Sequence, residues 1–317
     1  INNLRLFLNN LDFLEVETPV LQPIYGGANA RPFKTFHNSL DKDLYLRIAD
    51  ELYLKRLIIG GIDKVYEIAK NFRNEGMDRS HNPEFTMLEF YKSYSDVNDI
   101  MQITETMIRD VFIKVLDQNN FIFDDNKIDM KKDFDIITFS ESIKKFSEFD
   151  IIDKSEKDLR DFIKRSKIKI SKNESYGNLL DKIFSHFVEP KLINPTFVTD
   201  YPLVLSPLAK KSIKDPNKVD RFELFIGGME IANAFSELND PADQLNRLES
   251  QSKLRELGDE EAQVVDLDFI KAMQVGMPPT GGVGIGIDRL TMLLTSNKSI
   301  KDVILFPAMR WYEYLYI

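Results

Sequence analysis

The chain of 317 residues has no cysteine and only three histidines, His37, His81 and His186. Without thiols there is no disulfide framework and no thiolate nucleophile, and with so few imidazoles the usual zinc constellations are excluded. A bound metal is therefore expected on oxygen ligands. Long apolar runs are missing too. Nothing approaches the roughly 18 residues of a membrane-spanning helix, and the opening INNLRLFLNN lacks a basic segment followed by an apolar one. A soluble protein of a reducing compartment is predicted, cytoplasmic or within an organelle. Nor is there an excess of positive charge: 51 acidic side chains outnumber 42 basic ones, for a net charge of -9. Nucleic-acid contact must then be local or use a part not present here.

What is present is enough apolar material, 43% of residues, for one large domain or two moderate ones. Leu4, Phe7, Leu8 and Leu11 lie at helical spacing, and FLEVETPVL alternates like a strand ending near Pro19. After the loop GGANARPF, YLRIADELYLKRLIIGG carries helical periodicity through Leu52, Lys55, Arg56 and Ile59, and VYEIAKNFR reads as a strand. Residues 97–116 repeat apolar positions at Ile100, Ile103, Met107, Val111 and Val115, as an amphipathic helix does. From about 118 to 192 the composition turns Lys-rich and helical, which predicts an inserted helical subdomain. Residues 196–238 return to short strands with a turn at Gly227-Gly228, 260–275 read as helix, and PPTGGVGIGIDRLTMLLT runs from a strand into a helix. Strands joined by hairpins predict an α+β fold, a mainly antiparallel sheet flanked by helices.

Three stretches carry chemistry. In NFRNEGMDRSHNPEFTMLEFY, two strand-like runs flank a polar loop; alternation puts Arg73 and Glu75 on one side of the first run and Phe85, Glu89 and Tyr91 on one side of the second. Such a face is either a solvated sheet surface with cross-strand ion pairs or a site that stacks a ring and grips an anion. In FELFIGGMEIANAFSELND the Gly-Gly pair suits a two-residue turn. Phe225 then pairs with Glu230, and Glu223 is a diagonal neighbour of Glu230. These carboxylates repel unless a cation lies between them, magnesium brought by a nucleotide being the natural candidate; an ordinary acidic edge strand is the alternative. Asn233, Phe235 and Glu237 have the opposite parity, so a bulge must intervene if they serve the same site. In GGVGIGIDRLTMLL, Asp288 is expected to cap a helix whose first turn holds Arg289, with glycines admitting a ligand to the backbone; close strand-to-helix packing would explain them equally.

Together these stretches resemble the three signature motifs of class II aminoacyl-tRNA synthetases, and in detail the lysyl-tRNA synthetases. FLEVETPVL with Pro19 resembles motif 1, FRNE through HNPEFTMLEFY motif 2, and GIGIDRL motif 3. GGANARPF, YLRIADELYLKRLIIGG, FVTDYPLVLSPLAK and FSELNDP are close to that family's wording. The resemblance spans the chain nearly end to end and is weakest over 118–192. It implies one catalytic domain over 1–317 that activates L-lysine with ATP and charges tRNA(Lys), as a homodimer paired through the motif 1 region.

By position, Arg73 is implied to bridge the amino-acid carboxylate and the ATP α-phosphate. Phe85 stacks on adenine, with Arg289 above the ring and near the γ-phosphate. Glu75 is implied to recognise the adenine amino group or its surroundings, and His81 to approach the β,γ-phosphates. Glu223 and Glu230 coordinate Mg2+. Glu51, Glu237 and Tyr91 receive the lysine ε-ammonium, and Glu89 with the Gly26/Gly27 loop the α-amino group, while Asn233, Phe235 and Gly284 line the pocket. A ligand with two ammonium groups calls for carboxylates at both ends.

The family's N-terminal OB-fold is expected to be absent, and Ile at position 1 points to a trimmed chain. The ending departs from the family after FPAMR, with WYEYLYI carrying no expected function. The rival readings are a paralogue that ligates a lysine derivative to elongation factor P, in which the position of Gly284 is usually alanine, and a non-catalytic synthetase-like regulator.

Overall fold

The computed structural model describes residues 1–171 and 174–309; WYEYLYI lies outside the described residues. The chain forms two compact units, residues 1–94 with 239 onward and residues 95–238. The first unit opens with α1 (Asn2–Asn10), β1 (Leu14–Glu15), β2 (Leu21–Gln22), β3 (Lys34–His37), β4 (Lys42–Leu46), α2 (Glu51–Ile59), β5 (Lys64–Phe72) and β6 (Glu84–Ser93). The second contains α3 (Val97–Leu116), β7 (Asn120–Phe123), β8 (Asn126–Asp129), β9 (Asp135–Thr138), α4 (Phe139–Ser147), α5 (Glu156–Arg165), α6 (Tyr176–Phe187), β10 (Thr196–Thr199), β11 (Arg221–Ile226) and β12 (Met229–Ser236). The chain then returns to the first unit for α7 (Pro241–Glu256), α8 (Leu267–Gly276), β13 (Thr280–Gly286) and α9 (Ile287–Leu294).

In the first unit β5 and β6 pair antiparallel over their length, β13 adds antiparallel to β6, and β1 adds parallel to β5. In the second, β10, β11 and β12 are successively antiparallel and β9 is parallel to β10. Mostly antiparallel strands with helices around them make the fold α+β. Helices α4 to α6 bury Phe139, Ile143, Leu159, Ile163, Ile183 and Phe184 in one cluster with Val198 and Phe225 of the strands. Among the described residues no helix is long and apolar enough to cross a membrane.

FLEVETPVL forms much less strand than its alternation predicts. Pairing stops at Glu15, and Val16 N–H still reaches the Tyr66 carbonyl at 2.9 Å. Thr18 N–H instead meets the Glu67 carboxylate at 3.1 Å, just before Pro19, which has no N–H to offer. Glu67 is buried and also accepts from Thr18 Oγ1 at 2.7 Å and Arg47 Nη1 at 2.7 Å. Arg47, equally buried, spends its other donors on the Lys70 and Thr18 carbonyls at 2.9 and 3.1 Å. This one guanidinium fastens the motif 1 segment to β5.

Arg47→Met should therefore lower stability by about 3–5 kcal/mol, because it leaves Glu67 as an uncompensated buried charge. Chemical denaturation reads the loss as a lower midpoint. Adding Glu67→Leu should recover a substantial part of it.

Candidate active site

The register of β5, β6 and β13 sets one face of the first unit. Asn71, Ala69, Glu67 and Val65 of β5 stand opposite Phe85, Met87, Glu89 and Tyr91 of β6. Opposite the last three on β13 stand Gly286, Gly284 and Gly282. Directly paired residues share a face, so the third strand contributes no side chains there. A Cβ on Gly284 would come within 2.8 Å of Met87 Cε and 3.7 Å of Glu89 Cγ. Glycine at alternate positions of β13 leaves room beside Glu89 that the end of the flexible Met87 side chain takes up.

Strand β5 ends at Phe72, one residue before Arg73, which corrects the placement of Arg73 and Glu75 on a strand. The physical cause is Pro83: its carbonyl accepts Arg73 N–H at 2.8 Å, but it has no N–H to continue the ladder. Arg73 nonetheless stays with the face, its Cζ lying 5.0 Å from the centre of the Phe85 ring. Glu75 does not, being exposed in the loop. That loop brings in His81, whose Nδ1 lies 2.8 Å from the Asp78 carboxylate and whose Nε2 lies 3.0 Å from Arg289 Nη2. Since a guanidinium only donates, the ring accepts at Nε2 and carries its proton at Nδ1, toward Asp78. Burial raises the Asp78 pKa, but the Ser80 N–H and His81 outweigh it and the net shift is downward.

Asp288 does not cap α9. The N-cap position is Gly286, and Asp288 Oδ2 instead accepts the Thr86 N–H at 2.6 Å. Strand β13 ends opposite Met87, so the next donor on β6 has no strand partner, and Asp288 supplies one. This bond holds the start of α9, and Arg289 with it, beside the β6 face.

Beneath the face lies a set of buried acids. Glu51, at the start of α2, is paired with Lys55 one turn on, both buried. Glu89 is buried and accepts from Tyr91 OH at 2.9 Å. Asp50 is fully buried and accepts from Asn71 Nδ2 at 3.1 Å. The glycine loop backs onto this set: a Cβ on Gly27 would lie 3.0 Å from the Cβ atoms of Ala49 and Glu51, and one on Gly26 2.7 Å from Leu52 Cδ1. Gly27 also has φ +89°, which disfavours any other residue.

The second unit carries the remaining candidates. Gly227 and Gly228 have φ of 63° and 74°, as a tight hairpin turn requires. Phe225 pairs with Glu230, but Leu224 pairs with Ala232, so Ile231 is the extra residue of a bulge. That is the bulge the parity mismatch called for. It puts Asn233 opposite Glu223 and Phe235 opposite Arg221, on the face that Glu230 shares with Phe225. Glu223 accepts from Arg221 at 2.5 Å and from Tyr201 OH at 2.6 Å, and Arg221 Nε also donates to Asn233 at 3.1 Å. Burial, opposed by Arg221 and reinforced by the Glu230 charge, pushes the Glu223 pKa up to about 7. Glu237 is buried past the end of β12, bridging backbone to Ala209. No group of three or more metal-ligating side chains occurs among the described residues. Glu223 and Glu230 suit a cation that brings most of its own ligands, as nucleotide-bound magnesium does.

A family profile for tRNA synthetases class II (D, K and N) matches residues 1–310. The chain belongs to this family. It is 53% identical over 309 residues to a protein named Lysine--tRNA ligase from Helicobacter hepaticus, covering 97% of this chain and 59% of the relative. Similar matches carry the same name in Helicobacter pylori strain 26695, at 53% over 98% of this chain, and Methanospirillum hungatei, at 52% over 98%. The chain spans about 60% of the length of these relatives.

Within this synthetase chain, the candidates taken from the sequence fall into two sets. The first unit gathers Gly26, Gly27, Glu51, Arg73, His81, Phe85, Glu89, Tyr91, Gly284 and Arg289. The second gathers Glu223, Glu230, Asn233 and Phe235 on one hairpin face, with Glu237 beyond its end. Sequence reasoning passed over Lys55, Asp50, Arg221 and Tyr201. Only Lys55 had a local signal, its i,i+4 spacing from Glu51.

Gly27→Ala should lower stability by about 1–3 kcal/mol, since it adds backbone strain to a tight contact. Gly76→Ala, with open space around it, should stay within about 0.5 kcal/mol of the parent. Denaturant midpoints compare the two.

Proposed function

We propose that the chain is the catalytic part of a lysine-tRNA ligase, activating L-lysine with ATP to lysyl-adenylate and passing lysine to the 3' end of tRNA(Lys). The observation that carries this reading is the burial of Glu51 and Glu89 beside an all-glycine stripe, with Arg73 and Phe85 on the same side of the sheet. Buried carboxylates beside a strand that adds no side chains suit a ligand with ammonium groups, and a guanidinium over an aromatic ring suits a nucleotide. The names carried by relatives about half identical to this chain support the same substrate.

In this reading Phe85 stacks on adenine, Arg289 covers it, and Glu75 reads its amino group. His81, oriented by Asp78, approaches the β,γ-phosphates. Arg73 holds the lysine carboxylate against the α-phosphate. Glu51, Glu237 and Tyr91 take the ε-ammonium; Glu89 and the Gly26/Gly27 loop take the α-amino group, and because Gly27 backs onto Glu51 the two subsites adjoin. Asn233, Phe235 and Gly284 shape the pocket. Glu223 and Glu230 hold Mg2+, which when bound offsets phosphate charge.

The lysine carboxylate oxygen forms a bond to the α-phosphorus as the bond to pyrophosphate breaks. The tRNA hydroxyl then displaces AMP from the acyl carbon. The first step needs alignment and charge stabilisation, not a protein nucleophile. A second copy of the chain is proposed to pair through the motif 1 region, where Leu14, Val20 and Leu21 are exposed around Pro19. A cytoplasmic setting fits this role.

ATP-pyrophosphate exchange with lysine, β-lysine and aspartate tests the reading. Exchange with lysine is expected; exchange with none would sink the enzyme, and preference for β-lysine would point to the elongation factor P paralogue. Glu237→Gln should raise the lysine KM on the order of tenfold to a hundredfold, the cost of losing a charged hydrogen-bond partner, and leave the ATP KM nearly unchanged. Equal effects on both would contradict its placement at the ammonium.

A further inference from the structure

Asp50 occupies the N-cap position of α2, where an aspartate ordinarily accepts from the first-turn N–H groups. It makes no such bond. Its carboxyl turns inward to Asn71, and among the described residues its Oδ2 is buried with no N–H or O–H donor directed at it. The Glu89 carboxyl lies within hydrogen-bonding reach of Asp50. Two carboxyls make that contact only when one of them carries a proton.

Arg47 is the countercharge felt by Asp50, and it acts without pairing with it. Glu67 and Asn71 face the pair from β5, Glu51 from α2, Tyr91 from β6 and Arg47 from the end of β4. Arg47 is bound to Glu67 and Lys55 to Glu51. Among the described residues neither Asp50 nor Glu89 takes part in an ion pair.

We propose that Asp50 is a positioning residue of the amino-acid subsite: it shares one proton with Glu89 in the free protein, and a substrate ammonium arriving beside Glu89 expels that proton to solvent. This rests on the lysine reading given above. In the exchange, the shared O–H bond breaks, the proton passes to buffer, and the ammonium N–H donates to the carboxylate left behind. The directions of titration agree. Burial, the largest cause for both, raises Asp50 to about 6 and lifts Glu89 well above the usual range, with the Asp50 charge reinforcing the rise at Glu89. The proton belongs to the pair. A carboxyl with a raised pKa is neutral below it, so cation affinity grows as pH rises through the pair's titration, by up to about tenfold per pH unit for a full proton released.

Three measurements on the chain test this. Calorimetry of lysine binding at about pH 6.5, in two buffers of different ionisation enthalpy, should show net proton release; binding with no release overturns the proposal. Asp50→Asn keeps an acceptor for Asn71 and removes the shared charge. It should shift the pH profile of the lysine KM downward by about one unit or more, while the ATP KM keeps its own profile; an unmoved lysine profile overturns the proposal. Infrared spectroscopy of the free chain should show a protonated-carboxyl band near pH 6 with its midpoint displaced likewise in Asp50→Asn. Absence of that band from the parent overturns the shared proton even if the variant fails to fold. Absence of any heat with lysine, with the band present, counts against lysine as substrate and leaves the proton pair standing.

Discussion

The cost of burying a carboxylate governs the first unit. Asp50, Glu51, Glu67 and Glu89 all lie inside it, and an isolated ionised carboxylate there would cost several kcal/mol. Each meets that cost differently. Glu67 is closed off by Arg47 and Thr18, and becomes a structural tie. Glu51 is balanced by Lys55 on its own helix. Asp50 and Glu89 form no ion pair among the described residues; Asn71 donates to one and Tyr91 to the other, and Arg47 acts on Asp50 from its bond with Glu67. Glu67 with its guanidinium ties two segments together, Glu51 and Lys55 pair along α2, and Glu89 stands opposite Gly284. Glu67, bound by an arginine from another segment, is thus structural, whereas Glu51, paired along its own helix, and Glu89 are proposed to face the substrate.

Backbone placement decides whether that distinction can be used. Glycines at alternate positions of β13 add no side chains over Glu89, and the bond from Thr86 to Asp288 stops the strand where α9 and Arg289 must begin. In the second unit a single extra residue, Ile231, turns Asn233 and Phe235 onto the face of Glu223 and Glu230. Neither device adds a chemical group. Both aim existing ones, with the rigidity that catalysis by positioning demands.

The reading of sequence and the structure part company at definable places. Helix α3 and strands β5, β6 and β13 were legible because period and flanking glycines or prolines agree over many residues. The bulge was legible because parity failed in a way only an extra residue repairs. Helix α7 went unread although Asp240-Pro241 is a strong start signal, with Asp240 Oδ1 accepting from Ala242 N–H at 2.8 Å; few apolar residues mark its buried side. Asp288 was misjudged because a capping aspartate and one bonded to a distant strand look alike until β13 is seen to end opposite Met87. Asp50, passed over in the sequence, is the converse case, a residue at a cap position whose partners lie on β5 and β6. Propensity names the nearest acceptor role, and tertiary pairing overrides it.

The scarcity of histidine and absence of cysteine are compatible with the proposed reaction. Adenylate formation would use a nucleophile that arrives with the substrate, so the protein would have to align anions and stabilise charge without itself being attacked. His81 fits that division of labour. Its ring is fixed between Asp78 and Arg289, donating to one and accepting from the other, so it serves as an oriented dipole that aims the Arg289 guanidinium. In the proposed reading, the charge offered to a phosphate from this side of the face is that of Arg289, aimed by the ring.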